Sequence, residues 1–301
     1  MVTSIRMPGH GMLFQSPIFE RLRSLNPRDF TADNLNALHR HVYDESQREF
    51  TNVRMLPLSE IEPIFLRKPA FIAKFQEISG VSPTGINFDT YQSFCVYERR
   101  EGIVHWLQFY NIDSMQRLRS KDPAGKVFLH EITGTIPFKT ILDETKTLNR
   151  DPNVELANIN RESVEMSYIS EGCASYFSQD PFDTGFTLDI ELYAALRLKG
   201  EVPASEKLES LIGNRHFFGM LALTKIELAH GTLALVDLLR KIPAPVNDPA
   251  GEPSYAYALW KRYKTASAVM ASRQQIPNFL VLPFEAFGFD IKDGMSLVNN
   301  K

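Results

Sequence analysis

The chain has 301 residues, 44% of them hydrophobic and 23% charged, with a formal net charge of −3 at pH 7. That is an ordinary globular composition, long enough for one large domain or two of modest size, and the slightly acidic balance excludes a generic nucleic-acid binder held by a basic surface. Two cysteines, Cys95 and Cys173, make neither a disulfide framework nor a thiolate zinc set, so a reducing cytoplasm is the expected compartment.

No stretch approaches the roughly 18 consecutive apolar residues of a membrane span, and no membrane partner is expected. The opening MVTSIRMPGHGMLF breaks on Pro8, Gly9 and Gly11 before an apolar signal core can form. Residues 1 to 27 read as an irregular lead-in. Thr31 then caps a helix from Ala32 to Phe50, with Leu35, Leu38 and Val42 as its buried stripe. Ser59 with Glu62 fits a capping box, which predicts a second helical stretch toward Ser79, broken by Pro63 and Pro69. Gly80 to Gly85 stops it. Tyr91 to Tyr97 and Ile103 to Ile112 are rich in aromatic and β-branched residues around a turn at Arg99 to Gly102. They predict a β-hairpin, the one strong strand signal in the chain.

Beyond the hairpin, helical periodicity dominates. Asp-Pro dipeptides at 122, 151 and 180 are evenly spaced, but the apolar patterns between them do not superimpose, so no repeat is expected. The predicted helices are Lys126 to Leu148, Glu155 to Ser178, Phe186 to Lys199, Ser205 to Arg240 and Ser254 to Gln274. Pro137 should kink the first. Ile242 to Ser254 is a Pro-rich loop, and the apolar tail after Pro277 should dock on the core. The expected architecture is mainly α, one compact domain. Residues 1–85 form a helical amino-terminal region, 86–120 the hairpin, 126–274 a helical bundle and 277–301 the docking tail.

The strongest functional lead lies in Phe217 to Leu239. This predicted helix is apolar on nearly every side, as a central buried helix is, yet carries Glu227 and His230 one turn apart. Such groups are costly inside unless paired, hydrogen-bonded or metal-bound, and Glu-x-x-His is how helix bundles present ligands to iron or manganese. Other helices must complete such a site, and Glu171, Glu165, His130 and Glu131 are the candidates. Glu171 is favoured because it shares a face with Val164, Tyr168 and Ala174. Oxygen and nitrogen ligands of this kind suit iron with positions left open for dioxygen or substrate. His216 lies three turns from Glu227, about 16 Å at the helical rise, too far to share its ion.

His130-Glu131, with the segment Ser170 to Phe177, resembles the HExxH and EGxAxYF-like elements of gluzincin metallopeptidases over a small part of the chain. Where that family has its second zinc histidine this chain has Gly134, so zinc hydrolysis is not expected. His39 and His41, beside Asp44 and Glu45, read as surface residues, and His105 as a half-exposed strand residue. Tyr255 to Arg273 mixes an apolar stripe with Lys261, Arg262, Lys264 and Arg273. It reads as a core helix with snorkelling basic stems, or as a docking helix for a protein partner. No phosphate-binding glycine loop and no Gly-x-Ser-x-Gly elbow is present. The leading expectation is thus an iron-dependent, oxidative small-molecule enzyme. A metal-free accessory protein acting through 255–273 is the first alternative. A haem protein with His216, His230 or His130 as axial ligand is the second.

Overall fold

The structure, a computed structural model, describes residues 17–49, 53–101, 103–139, 142, 163–178, 216, 220, 223, 236 and 239. The chain divides into two compact units, Gln15–Thr135 on the one hand and Met1–Phe14 with Ile136–Lys301 on the other.

The unit Gln15–Thr135 holds helices α1 (Pro17–Arg23), α2 (Ala32–Glu49), α3 (Lys68–Ser79), α4 (Ile112–Leu118) and α5 (Ala124–Thr133). Its strands are β1 (Ile61–Leu66), β2 (Ser93–Arg100) and β3 (Ile103–Asn111). The strands form a mixed sheet in the order β1-β3-β2, with β3 parallel to β1 and antiparallel to β2. The expected mainly α fold with a single hairpin is therefore corrected: the described residues comprise six α-helices and a three-stranded mixed sheet.

The hairpin is where the aromatic and β-branched residues placed it. The surprise is β1, expected as the start of a broken helix. Pro63 is tolerated because β1 pairs with β3 on one side only, so its missing N–H deprives the ladder of nothing. Pro69 falls in the first turn of α3, where a missing N–H also costs little. That turn is capped from afar. The Lys68 amide donates to Asp113 Oδ2 at 2.8 Å, and Arg67 pairs with Asp113 Oδ1 at 2.7 Å. The Lys68 amide above all, with Arg67 adding to it, holds the Asp113 carboxyl below its ordinary range. Gly80, at φ 65°, closes the helix in the left-handed conformation that glycine takes without a steric penalty.

β3 is nearly all buried and presents two faces. Leu107 and Phe109 join Phe71, Phe88, Phe94 and Phe75 in an aromatic core beneath α3. Phe94 stacks on Phe109 at 4.8 Å, and Phe71 meets Phe94 edge-on at 5.1 Å. Each ring taken from water is worth about 1.5–3 kcal/mol. On the other face, Gln108 and Tyr110 meet α2 and α5 through His39 and Phe128. At the end of β3, Asn111 Oδ1 caps α4 through the Ser114 amide, while its Nδ2 donates to the carbonyls of Phe88 and Tyr91.

Helix α2 matches its predicted span, and Thr31 Oγ1 accepts from the Asn34 amide at 3.3 Å. The lead-in contains α1, and the helix expected from Lys126 to Leu148 stops at Gly134 and Thr135. Helical residues resume at 136, so Pro137 opens a segment instead of kinking one.

In the second unit, α6 (Ser163–Ser178) lies within the expected Glu155 to Ser178 helix, and Gly172 to Ser178 are buried. His216, Met220, Leu223, Val236 and Leu239 are helical, the last four buried. The helices expected at 186–199 and 254–274, the 242–254 loop and the tail lie outside the described residues.

Gly125 lets α5 approach the end of α1 closely. Its amide donates to the Leu25 carbonyl at 2.8 Å, and a Cβ there would stand 2.0 Å from the Leu22 carbonyl oxygen. Gly125→Ala should force α1 away from α5 and cost at least about 1–3 kcal/mol, the scale of overpacking. A lowered urea midpoint at unchanged slope is the expected reading.

Candidate functional site

Glu227 and His230, the leading pair, lie outside the described residues, as does the 255–273 segment. Glu165 belongs to the part of α6 described by its backbone alone. His130 and Glu131 are adjacent on α5, both half-buried. The His130 carbonyl accepts the Gly134 amide at 3.0 Å and the Thr133 hydroxyl at 3.3 Å, closing the helix end.

Glu131 reaches the sheet. Ser93 and Cys95 are two residues apart on β2 and so point to one face, the face that bears Gln108 and Tyr110. The Ser93 hydroxyl donates to Glu131 Oε1 at 2.5 Å and the Cys95 thiol to Oε2 at 2.8 Å. Both carboxylate oxygens are thereby engaged, and the group clamps α5 to the β2 edge. Beside it, Tyr110 is fully buried and its hydroxyl donates to Gln108 Oε1 at 2.9 Å. Burial first, then the charges of Glu131 and Cys95, raise the Tyr110 phenol well above its ordinary value. Nucleophilic cysteines are activated by neighbouring cations or helix amino termini. A carboxylate acceptor is not such a neighbour, so this cluster reads as a polar clamp.

On the α3 side of the sheet, a groove of about 480 Å³ is lined by Ile64, Leu66, Val96, Leu107 and Phe109, with Lys74, Glu77, Glu98 and Arg100 along it. Its charges are paired: Lys74 with Glu77, and Arg100 with Glu62 and Glu98.

The second unit offers a carboxylate and an imidazole together. Glu171 Oε2 stands 3.1 Å from His216 Nδ1. Ser175 lies one turn beyond Glu171 on α6, hence on the same face, and its hydroxyl is 3.3 Å from the same nitrogen. Ser175 is fully buried, whereas the Glu171 and His216 side chains are 35% and 48% exposed, which leaves the pair accessible to a solute. Carboxylate and hydroxyl approach one nitrogen, so this is no Ser-His-acid relay, which needs them on opposite nitrogens of the ring.

Glu171, expected as a ligand beside Glu227 and His230, stands next to His216, an expected axial ligand only in the haem alternative. Helical spacing shows that Glu171 and Ser175 share a face and that His216 opens the apolar stripe continuing in Met220 and Leu223, but it does not show that the two faces meet. His39, expected on the surface, is buried. His41 is exposed as expected, while Glu45 pairs with Arg21 at 2.8 Å and Arg48 at 2.6 Å. No described helix is long and apolar enough to cross a membrane. No protein family, curated protein or solved structure matches the chain.

The two thiols should differ in reactivity. Cys173 is fully buried, and burial pushes its thiol far above the ordinary cysteine range, whereas Cys95 is half-buried on an edge strand. Iodoacetamide at pH 8 should modify Cys95 in the native protein and Cys173 only after unfolding, as peptide mass mapping would record.

Proposed function

We propose that the unit bearing Glu171 and His216 binds a divalent transition metal and uses it for oxidative chemistry on a small molecule, with iron the leading metal and a reducing cytoplasm the setting. The observation that carries this reading is the 3.1 Å approach of the Glu171 carboxylate to His216 Nδ1, between residues far apart in the chain. Two ligand atoms each about 2.1 Å from one ion, and near a right angle at it, lie about 3 Å apart. The pair is spaced as cis ligands are, and its half-exposed setting gives an ion a way in.

One imidazole and one carboxylate are part of the two-histidine, one-carboxylate set of non-haem iron oxygenases. In such a centre the protein holds the metal by these groups and leaves positions open for dioxygen and substrate. A working centre needs about three protein ligands, so the pair is a partial set. Glu227 and His230 remain candidates for a separate ion. Helical spacing from His216 would put Glu227 about 16 Å away.

Metal analysis of untagged protein, beside its visible spectrum, tests this. Iron without a Soret band is expected in the wild type. Glu171→Gln and His216→Ala should each abolish most of that content while shifting stability by no more than about 1 kcal/mol, the usual limit for an exposed ion pair. Wild-type protein without metal, or variants that retain it, would overturn the assignment. A Soret band would point instead to haem.

A further inference from the structure

His39 is 1% exposed and sits where α2, β3 and α5 meet. Its Nε2 is 2.8 Å from Gln108 Oε1, which also accepts from the Tyr110 hydroxyl at 2.9 Å. A carbonyl oxygen only accepts, so Nε2 carries the ring proton and a second proton would enter at Nδ1. Around it are aromatic edges and faces: Phe128 of α5 at 5.2 Å and Tyr110 of β3 at 6.0 Å, centroid to centroid. Of the elements packed on α2, β3 carries Tyr110 and His105, α5 carries Lys126, His130 and Glu131, α1 carries Glu20, Arg21 and Arg23, and β1 carries Glu62; of these groups Tyr110 meets the ring. Glu131 is engaged by Ser93 and Cys95, while burial of the His39 ring disfavours its charged form and the Gln108 bond opposes this. The pocket is already short of acceptors: Gln108 is fully buried, and its Nε2 has no hydrogen-bond partner among the described residues.

We propose that His39 is an acid-sensitive latch. A proton added at Nδ1 puts an uncompensated charge between Phe128 and Tyr110, and α2 is released from the sheet and α5 so that the ring can reach water. At neutral pH the ring is uncharged in the closed form and mostly uncharged in the released form, and the latch stays shut.

Burial holds the His39 imidazole down at about 4 in the closed form, against 6.5 for an exposed ring. The released form therefore takes up the proton first as pH falls. The balance shifts toward it by up to tenfold per pH unit below 6.5, about 160-fold by pH 4, and levels off at about 300-fold once the closed form is protonated too.

Hydrogen exchange of the α2 amides in the full chain, corrected for the intrinsic pH dependence of exchange, reads this directly. Protection of α2 in the wild type should fall toward that tenfold-per-unit slope between pH 6 and 4.5. In His39→Gln, which keeps a donor for Gln108 but cannot titrate, this slope should vanish. An equal slope in the variant would overturn the proposal. Should His39→Gln not fold, the wild-type ring decides by NMR. Proton uptake that accompanies α2 exchange supports the latch, and uptake near pH 6.5 with α2 fully protected contradicts it.

Discussion

A strand buried on both faces needs partners for the polar groups it takes inside, and β3 takes in Gln108, Tyr110 and Asn111, whose side chains are met within the first unit except at Gln108 Nε2. Much of the first unit's arrangement follows from how they are satisfied. Asn111 ties the Phe88 to Tyr91 loop to the start of α4. Gln108 accepts from both α2 and its own strand, which fixes His39 and with it the angle at which α2 crosses the sheet. The apolar packing of Phe65, Phe128 and Tyr110 gives this layer most of its cohesion, since each buried ring is worth more than a single net hydrogen bond. The hydrogen bonds add direction. A row of hydrocarbon side chains could slide, whereas a glutamine shared by a histidine and a tyrosine has one good geometry.

The same requirement acts at the sheet edge. Glu131 would be costly against the β2 side of the sheet without donors, and Ser93 and Cys95 supply one for each oxygen. This satisfied carboxylate belongs to the fold's stability. Glu171 is different, because its counterpart is a half-exposed histidine that it shares with a buried serine.

How much of this could be read in the sequence depended on the range of the cause. The hairpin and α2 were legible because local pattern decided them: alternating aromatics across a turn, and an apolar stripe behind Thr31. β1 was not, since Ser59 and Glu62 mimic a capping box and Pro63 argues against a central strand. Only the position of β1 at an edge, a tertiary fact, reconciles that proline with a ladder. The buried His39 was in reach, because Leu35, His39, Val42 and Ser46 form one helical face. Leu38 is only half-buried, because helical spacing and not residue type decides which side chain of α2 faces the core. That Glu171 would meet His216 could not be read at all, because one sequence does not say which helices are neighbours.

The central claim is that Glu171 and His216 are ligands, and X-ray absorption at the iron edge of the loaded full-length chain examines the metal's own surroundings. The account predicts a shell of oxygen and nitrogen at about 2.0–2.2 Å, with an outer-shell imidazole pattern that disappears in His216→Ala. A sulfur-dominated shell, or an imidazole pattern unchanged in that variant, would contradict it.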